Sequence, residues 1–146
     1  MRYQLELEID APRDRVIELF LDSENLPKWQ EGIVSFEHIH GTPREVGAKS
    51  RQIHRMGKSE VEMIETITAP NPPFEYSATY EAKNVWNLIE NQFIEIDNQK
   101  TKWILDNEFR CSGIVRIMAF FMPGMFKKQT LDFMNMFKTF CEESSN

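Results

Sequence analysis

Three residues of this chain could transfer protons in a buried site: His54, Glu65 and Glu90. Each lies in a run in which polar and apolar residues alternate, a pattern typical of a strand with two different faces. Burial among apolar groups raises the pKa of a carboxyl group and makes it a candidate general acid or base. We therefore treat these three residues as candidates for catalysis, but the sequence does not assign a catalytic residue.

Other polar residues share the predicted inner face of the strands with these candidates. A ligand-binding cavity needs mostly apolar walls and a few polar groups that orient the ligand. We expect some of these residues to contact a polar group of a ligand. The alternative is that they pair with one another or with water at the cavity mouth. The complete polar set is Gln52, His54, Glu65, Tyr76, Tyr80, Glu90, Gln92 and Asn107.

Sequence motifs for metal, phosphate or nucleophilic chemistry are absent. The chain has no HExxH, GxSxG or GxGxxG, and Gly57-Lys58-Ser59 lacks the first glycine of a phosphate loop. His38-x-His40 could begin a metal site with His54, but strand geometry puts His54 roughly 13–14 Å from His38. Zinc ligands lie about 2 Å from the metal. We predict no metal and no cofactor.

Length and charge narrow the possible partners. The chain has 146 residues, a length that suits one domain with a core. Its net charge of −6 disfavours nucleic acid as a partner. An anionic membrane surface is disfavoured for the same reason, although a local patch could still bind. The longest uncharged run near the C-terminus, Ile117–Phe126, is about half of the ~20 residues that a membrane span needs. We expect no stable membrane insertion.

The cysteines and the N-terminus bear on the compartment. Cys111 and Cys141 form no CxxC motif and are typical of buried free thiols in a reducing environment. The N-terminus has a strand pattern rather than the pattern of a signal peptide. We predict a cytoplasmic protein that is a monomer or a weak homodimer.

The order of the elements predicts an α+β fold. A strand begins near Tyr3, two short helices follow within residues 10–31, and six strand-like runs precede a long C-terminal helix. Short connections make consecutive strands antiparallel neighbours. A seven-stranded curved antiparallel sheet that wraps around the helix is the compact solution, as one domain over residues 1–146.

The faces of the last two strands depend on the turn at Asp97–Lys100. If Ile96 lies opposite Thr101, residues two apart along each strand share a face. This register places one group of residues on the inner face: Leu88, Glu90, Gln92 and Ile94 from one strand, and Trp103, Leu105, Asn107 and Phe109 from the other.

The C-terminal helix has a bulky apolar face. Phe and Met pack adaptably, which suits a cavity, although a helix that lies on a sheet is apolar in any case. The stripe consists of Phe126, Thr130, Phe133, Phe137, Phe140 and Cys141. The predicted apolar lining of the cavity is Phe36, Met63, Trp103, Leu105, Met122, Phe126, Phe133 and Phe137.

Two segments flank or interrupt this helix. Pro123 and Gly124 should break or kink it within Phe120–Met125. This break leaves an apolar segment near the cavity entrance, which we interpret as a lid, a dimer contact or a membrane-touching patch, in that order. Residues Glu142–Asn146 look like a frayed tail.

Taken in order, these segments resemble the START-like helix-grip superfamily, which includes polyketide cyclase-like proteins. The matching residues are Ile9-Asp10-Ala11-Pro12-Arg13-Asp14, Val16 and Phe20, Leu26-Pro27-x-Trp29, Val46-Gly47, Pro72-Pro73 and Thr101. The resemblance spans nearly the whole chain and implies a hydrophobic cavity between the sheet and the C-terminal helix. Members include lipid carriers, small-molecule receptors, aromatase/cyclases and chaperone activators. No catalytic motif is common to them, so no catalytic residue carries over.

Three functions remain open. We first expect binding of an apolar or amphipathic small molecule, such as a lipid or a polyketide-like compound. The second hypothesis is a cyclase or dehydratase-type enzyme, and the third is a module that binds a chaperone or another partner. A large apolar cavity favours the first, two convergent hydrogen-bonded ionisable groups favour the second, and a filled cavity favours the third.

Overall fold

A computed structural model describes residues 1–144 of the chain. Its seven strands form one sheet in the order β1-β7-β6-β5-β4-β3-β2, in which every neighbouring pair is antiparallel. The elements are β1 (Arg2–Ile9), α1 (Arg13–Leu21), a 3₁₀ turn (Ser23–Asn25), α2 (Leu26–Trp29), β2 (Ile33–His40), β3 (Lys49–Met56), β4 (Ser59–Asn71), β5 (Glu75–Ala82), β6 (Val85–Asp97), β7 (Lys100–Cys111), α3 (Gly113–Phe121) and α4 (Pro123–Ser144).

This architecture confirms the predicted fold class. The sheet has seven antiparallel strands, two short helices follow β1, and a 22-residue helix ends the described chain. The predicted break at Pro123 is also present, because α3 ends at Phe121 and α4 begins at Pro123. The predicted frayed tail is helical as far as Ser144, and its last two residues lie outside the described part. Among the described residues, no helix combines the length and apolarity needed to cross a membrane.

The register of β6 against β7 differs from the prediction. Glu95, rather than Ile96, lies opposite Thr101, and an irregularity follows between Glu95 and Asp97. An extra residue in one strand of a pair reverses the side of every residue beyond it. Phe93 therefore lies opposite Trp103 on the inner face and is 1% exposed.

The predicted positions of two site residues are wrong as a result. Glu90 and Gln92 are exposed, whereas their neighbours Asn91 and Phe93 are buried. The prediction that Glu90 and Gln92 line the inner face was wrong. The alternation along β6 shows which residues share a face, but not which of the two faces is the inner one. The bulge near the turn shifts that assignment by one residue.

Helix α4 lies against β1, α1, α2 and α3. Phe137 and Met134 are fully buried on its inner side, and Phe133 is half-buried. Tyr3 on β1 fixes the helix in position: its hydroxyl lies 2.6 Å from Thr130 Oγ1 and 3.0 Å from the carbonyl oxygen of Phe126. The helix therefore covers the β1 side of the sheet.

Candidate functional site

A chain of hydrogen bonds links polar side chains on the inner face of β3, β4 and β5. Tyr80 donates to Glu65 Oε2 at 2.7 Å, and Ser50 donates to Glu65 Oε1 at 3.3 Å. Gln52 Nε2 donates to Ser50 Oγ at 3.4 Å, and His54 Nε2 lies 3.1 Å from Gln52 Oε1. We call these five residues the polar half of the inner face. Its centre is a carboxyl group in contact with two hydroxyl groups.

Strand pairing explains why these residues meet. Ser50 lies opposite Glu65, and Glu65 lies opposite Tyr80, so three consecutive strands contribute to one row. Gln52 and His54 follow at intervals of two along β3, and residues two apart share a face. The alternation in the sequence thus correctly placed His54, Glu65, Tyr80 and Gln52 together.

Burial dominates the electrostatics of this row. It raises the pKa of Glu65 above the usual value, and the hydrogen bonds from Tyr80 and Ser50, with a smaller contribution from the nearby Gln52 amide, oppose that rise only in part. Burial and the nearby Glu65 charge raise the pKa of Tyr80 well above its usual range. Burial lowers the pKa of His54, which favours its neutral form. A carboxyl group that is easily protonated can donate as well as accept a hydrogen bond.

Tyr76 extends the row on β5. Burial, with a contribution from the Glu65 charge, raises its pKa to about 12, so its hydroxyl remains protonated near neutral pH. Tyr76 also packs against both apolar clusters of the inner face. It is therefore the side chain that connects the polar half with the rest of the core.

Apolar side chains border the polar half. Ala48, Ile67 and Ala78 form a small buried cluster beside Tyr76 and Tyr80. Phe36 lies opposite Gln52 and remains 39% exposed, and Met63 on the other side of Gln52 is half-buried. A few polar groups within an apolar surround is the composition that ligand sites have.

A second part of the inner face is filled by aromatic rings. Trp103 lies 5.3 Å from Phe137 and 6.0 Å from Phe93, measured between ring centroids. Trp29 lies 4.7 Å from Phe137, and Phe20 packs against the same ring at 5.4 Å. We call these five residues the aromatic half. Here the helix and the sheet touch directly, so aromatic rings fill this part of the space in which a cavity was expected.

Several predicted lining residues belong to this packed region. Trp103 and Phe137 are completely buried, and Leu105 is 2% exposed. The Trp103 indole N–H donates to Asn91 Oδ1 at 2.9 Å, and Asn91 donates in turn to the Tyr76 carbonyl oxygen at 3.1 Å. Every partner is already satisfied, so this network stabilises the core rather than offering a group to a ligand.

Four further residues of the predicted lining lie in different places: Asn107, Phe126, Phe133 and Met122. Asn107 is buried, donates to Tyr3 at 3.1 Å and helps to hold α4 on the sheet. Phe126 packs on Phe109 at 4.9 Å, and Phe133 packs on Trp29 at 4.8 Å. Met122 is 53% exposed at the end of α3. Within residues 1–144, none of these four side chains forms a hydrogen bond or a ring contact with the polar half.

Glu90 and Gln92 lie on the outer face of β6. The Glu90 carboxylate is 3.8 Å from the Arg2 guanidinium, and both side chains are largely exposed. Such a surface ion pair contributes little stability. Ser50 was not among the predicted site residues, although its alternation with Gln52 and His54 could have identified it. Asn91 was not predicted because the predicted register of β6 was wrong.

Two open depressions lie away from the polar half. One has a volume of about 420 Å³ and lies between α2 and α4, bordered by Trp29, Met136 and Phe140. The other has a volume of about 330 Å³ and is bordered by Arg13, Phe74 and Gln92. Gln92 is the one predicted lining residue that borders either depression. No group of three residues within 1–144 is arranged to hold a metal ion.

The overall structure resembles several experimental structures. A conserved protein from Geobacillus kaustophilus superposes with a TM-score of 0.84 at 18% identity, over 100% of this chain and 98% of that one. The Zhui aromatase/cyclase from Streptomyces sp. R1128 gives 0.81 at 13% identity, over 100% and 96%. Norcoclaurine synthase from Thalictrum gives 0.75 at 11% identity, over 100% and 96%. These similarities show that the chain has the helix-grip fold, which the sequence resemblance implied.

The amino-acid sequence alone matches no protein-family model, and the search of curated proteins also found no match. The similarity to the structures above is therefore one of fold.

Proposed function

We propose that the protein binds an apolar or amphipathic small molecule on the inner face of β3–β5. The observation that carries this proposal is the hydrogen-bonded chain from His54 through Glu65 to Tyr80, bordered by Phe36 and Met63. The apolar border supplies most of the affinity, because buried apolar area contributes about 25 cal/mol per Å² as an upper guide. Glu65 and Tyr80 orient a hydroxyl or carbonyl group of the ligand.

Thermal unfolding in the presence of 2-naphthol and naphthalene tests this proposal. Both compounds have the same ring system, but 2-naphthol adds one hydroxyl group that can bond with Glu65. A ligand that binds the folded state raises the melting temperature by mass action. We expect 2-naphthol to raise it more than naphthalene does.

The Glu65→Gln variant should weaken 2-naphthol binding by roughly five- to tenfold and leave naphthalene binding unchanged, because one hydrogen bond contributes about 1–1.5 kcal/mol. Glu90→Gln is the matched control, because Glu90 is exposed on the outer face of β6, the strand next to β5. We expect that variant to bind both compounds like the wild type. Equal weakening by the two substitutions would contradict the proposed location.

A second candidate function is proton-transfer chemistry of the cyclase or dehydratase type. The observation that favours it is the convergence of Glu65 and Tyr80, two hydrogen-bonded ionisable groups with raised pKa values. In an intramolecular aldol condensation, the Glu65 carboxylate would remove a proton from the carbon beside a carbonyl. That carbon would form a bond to a second carbonyl carbon of the same molecule, and the protonated Glu65 would return the proton to the alkoxide oxygen. In the dehydration that follows, Glu65 would take the second proton from the same carbon and deliver it to the hydroxyl, which leaves as water.

Turnover of a poly-β-ketone substrate analogue separates the two functions. For an enzyme, Glu65→Gln should abolish turnover and preserve binding, because an amide cannot transfer the proton. For a binding protein, the wild type should bind the analogue without converting it. We also propose a cytoplasmic location, which the free thiols of Cys111 and Cys141 support.

A further inference from the structure

The junction of α3 and α4 carries apolar side chains that face solvent. Phe120 is 79% exposed and Phe121 is 75% exposed, and α3 has no buried residue. Single exposed apolar residues are normal on a protein surface, but a contiguous group marks an interaction site. We call this group the apolar tip. It consists of Ile114, Ile117, Met118, Phe120, Phe121 and Met122.

Basic residues precede, interrupt and follow the apolar tip along the chain. The charged residues within positions 109–131 are Arg110, Arg116, Lys127 and Lys128, all of them positive, although the whole chain has a net charge of −6. Arg116 on α3 and Lys127 on α4 are exposed on either side of the junction. Lys128 shares its charge with Asp132 at 2.9 Å, and Arg110 shares its charge with Glu108 at 3.2 Å. Arg116 and Lys127 therefore supply the positive charge of the tip. A positive border around exposed phenylalanines complements an anionic lipid surface.

The apolar tip has a fixed position on the sheet. The Ser112 backbone N–H, just before α3, donates to the Asn84 carbonyl oxygen in the β5–β6 turn at 2.9 Å. Phe126, just after the junction, packs on Phe109 of β7. The tip therefore projects from the end of the sheet where β7 ends. The β2–β3 loop, which contains Val46, precedes the start of β3 at the opposite end.

We propose that the apolar tip docks on an anionic lipid bilayer. Phe120 and Phe121 enter the boundary between headgroups and acyl chains, while Arg116 and Lys127 meet the lipid phosphates. A second copy of the chain fits less well, because a symmetric dimer through this surface would bring the same positive border together twice. This docking needs no ligand on the inner face, so it does not rest on the function proposed above.

Vesicle flotation tests the docking with the full chain. We expect the protein to float with vesicles of phosphatidylcholine that contain one third phosphatidylglycerol, and much less with phosphatidylcholine alone. Raising the salt concentration should release it, because salt screens the attraction between exposed charges. Absence of binding to the anionic vesicles at low salt would overturn the proposal.

Two variants and two matched controls locate the docking surface. Phe120→Ser with Phe121→Ser should weaken vesicle binding by about tenfold or more, and Lys127→Gln should weaken it about fivefold. Val46→Ser and Lys49→Gln change the same residue classes at the opposite end of the sheet, and Val46 is 71% exposed. The two controls should change binding less than twofold. Lys127→Gln preserves every apolar residue of the tip, so it remains informative if the double variant is unstable.

Sedimentation velocity distinguishes lipid docking from self-association. We expect the wild type to be monomeric at micromolar concentration and to bind the anionic vesicles. The contrary result would be a wild-type dimer that does not bind vesicles and that the double variant, Phe120→Ser with Phe121→Ser, dissociates. It would show that a second copy of the chain occupies the tip. Equal loss of vesicle binding in the variants and the controls would also overturn the proposal.

Discussion

The aromatic half and the polar half share one inner face, but they are filled differently. In the aromatic half, Trp103 and Phe137 are fully buried and touch across the interface between sheet and helix. In the polar half, Glu65 is held by hydrogen bonds from Tyr80 and Ser50, with half-exposed apolar residues beside them. The contacts of the aromatic half therefore stabilise the fold near β1 and β7, whereas the side chains around Glu65 on β3 to β5 are covered less completely.

The largest expected effect belongs to the aromatic half. Phe137→Ala should lower the free energy of unfolding by about 3–5 kcal/mol, because it removes a ring that contacts Phe20, Trp29 and Trp103. Urea unfolding measures the loss. Phe121→Ala is the control of the same residue type, and its exposed ring should contribute less than about 0.5 kcal/mol. A small effect of Phe137→Ala would mean that an empty cavity borders this ring.

A pair of neighbouring residues on β6 tests the register. Asn91→Leu should cost about 1–3 kcal/mol, because it leaves the buried Trp103 N–H without a partner. Gln92→Leu alters the next residue, which is exposed, and should change stability by less than about 0.5 kcal/mol. Both values come from urea unfolding. The opposite order would restore the register first predicted from the sequence.

The pH dependence of stability tests the polar half. Burial raises the pKa of Glu65 in the folded protein above its ordinary value of 4.5. At pH values between 4.5 and the raised pKa, Glu65 keeps a proton in the folded state that it has lost in the unfolded state. The free energy of unfolding therefore falls as the pH rises through this range. Glu65→Gln should remove this slope and gain stability relative to the wild type as the pH increases.

Urea unfolding at a series of pH values measures that slope. Glu62→Gln is the control, because Glu62 is an exposed residue on the outer face of the same strand. It should retain the slope of the wild type. If the slopes of Glu65→Gln and the wild type are the same, the Glu65 carboxyl group is not buried in solution.

The sequence predicted the fold well because its signals are local and repeated. Alternation in the strands, a proline after Asp10 and a phenylalanine stripe in the last helix each define an element without knowledge of the others. The same alternation brought His54, Glu65 and Tyr80 to one surface. Antiparallel pairing of β3, β4 and β5 then fixed their order.

The sequence could not predict the β6–β7 register or the division of the inner face. The bulge between Glu95 and Asp97 depends on how the turn closes, and it moved Glu90 and Gln92 to the outer face. The sequence also did not show that α4 lies toward β1. That position follows from long-range contacts, such as the one between Tyr3 and Thr130, which no local pattern encodes.

The most direct measurement of the proposed ligand site is an NMR titration of methyl-labelled methionine with 2-naphthol. Methionines report on separate regions: Met63 borders the polar half, Met134 lies in the packed core, and Met136 borders the depression between α2 and α4. We expect the Met63 methyl signal to shift in the wild type and to shift less in Glu65→Gln. Shifts of Met134 or Met136 with an unchanged Met63 would contradict a ligand site on the polar half.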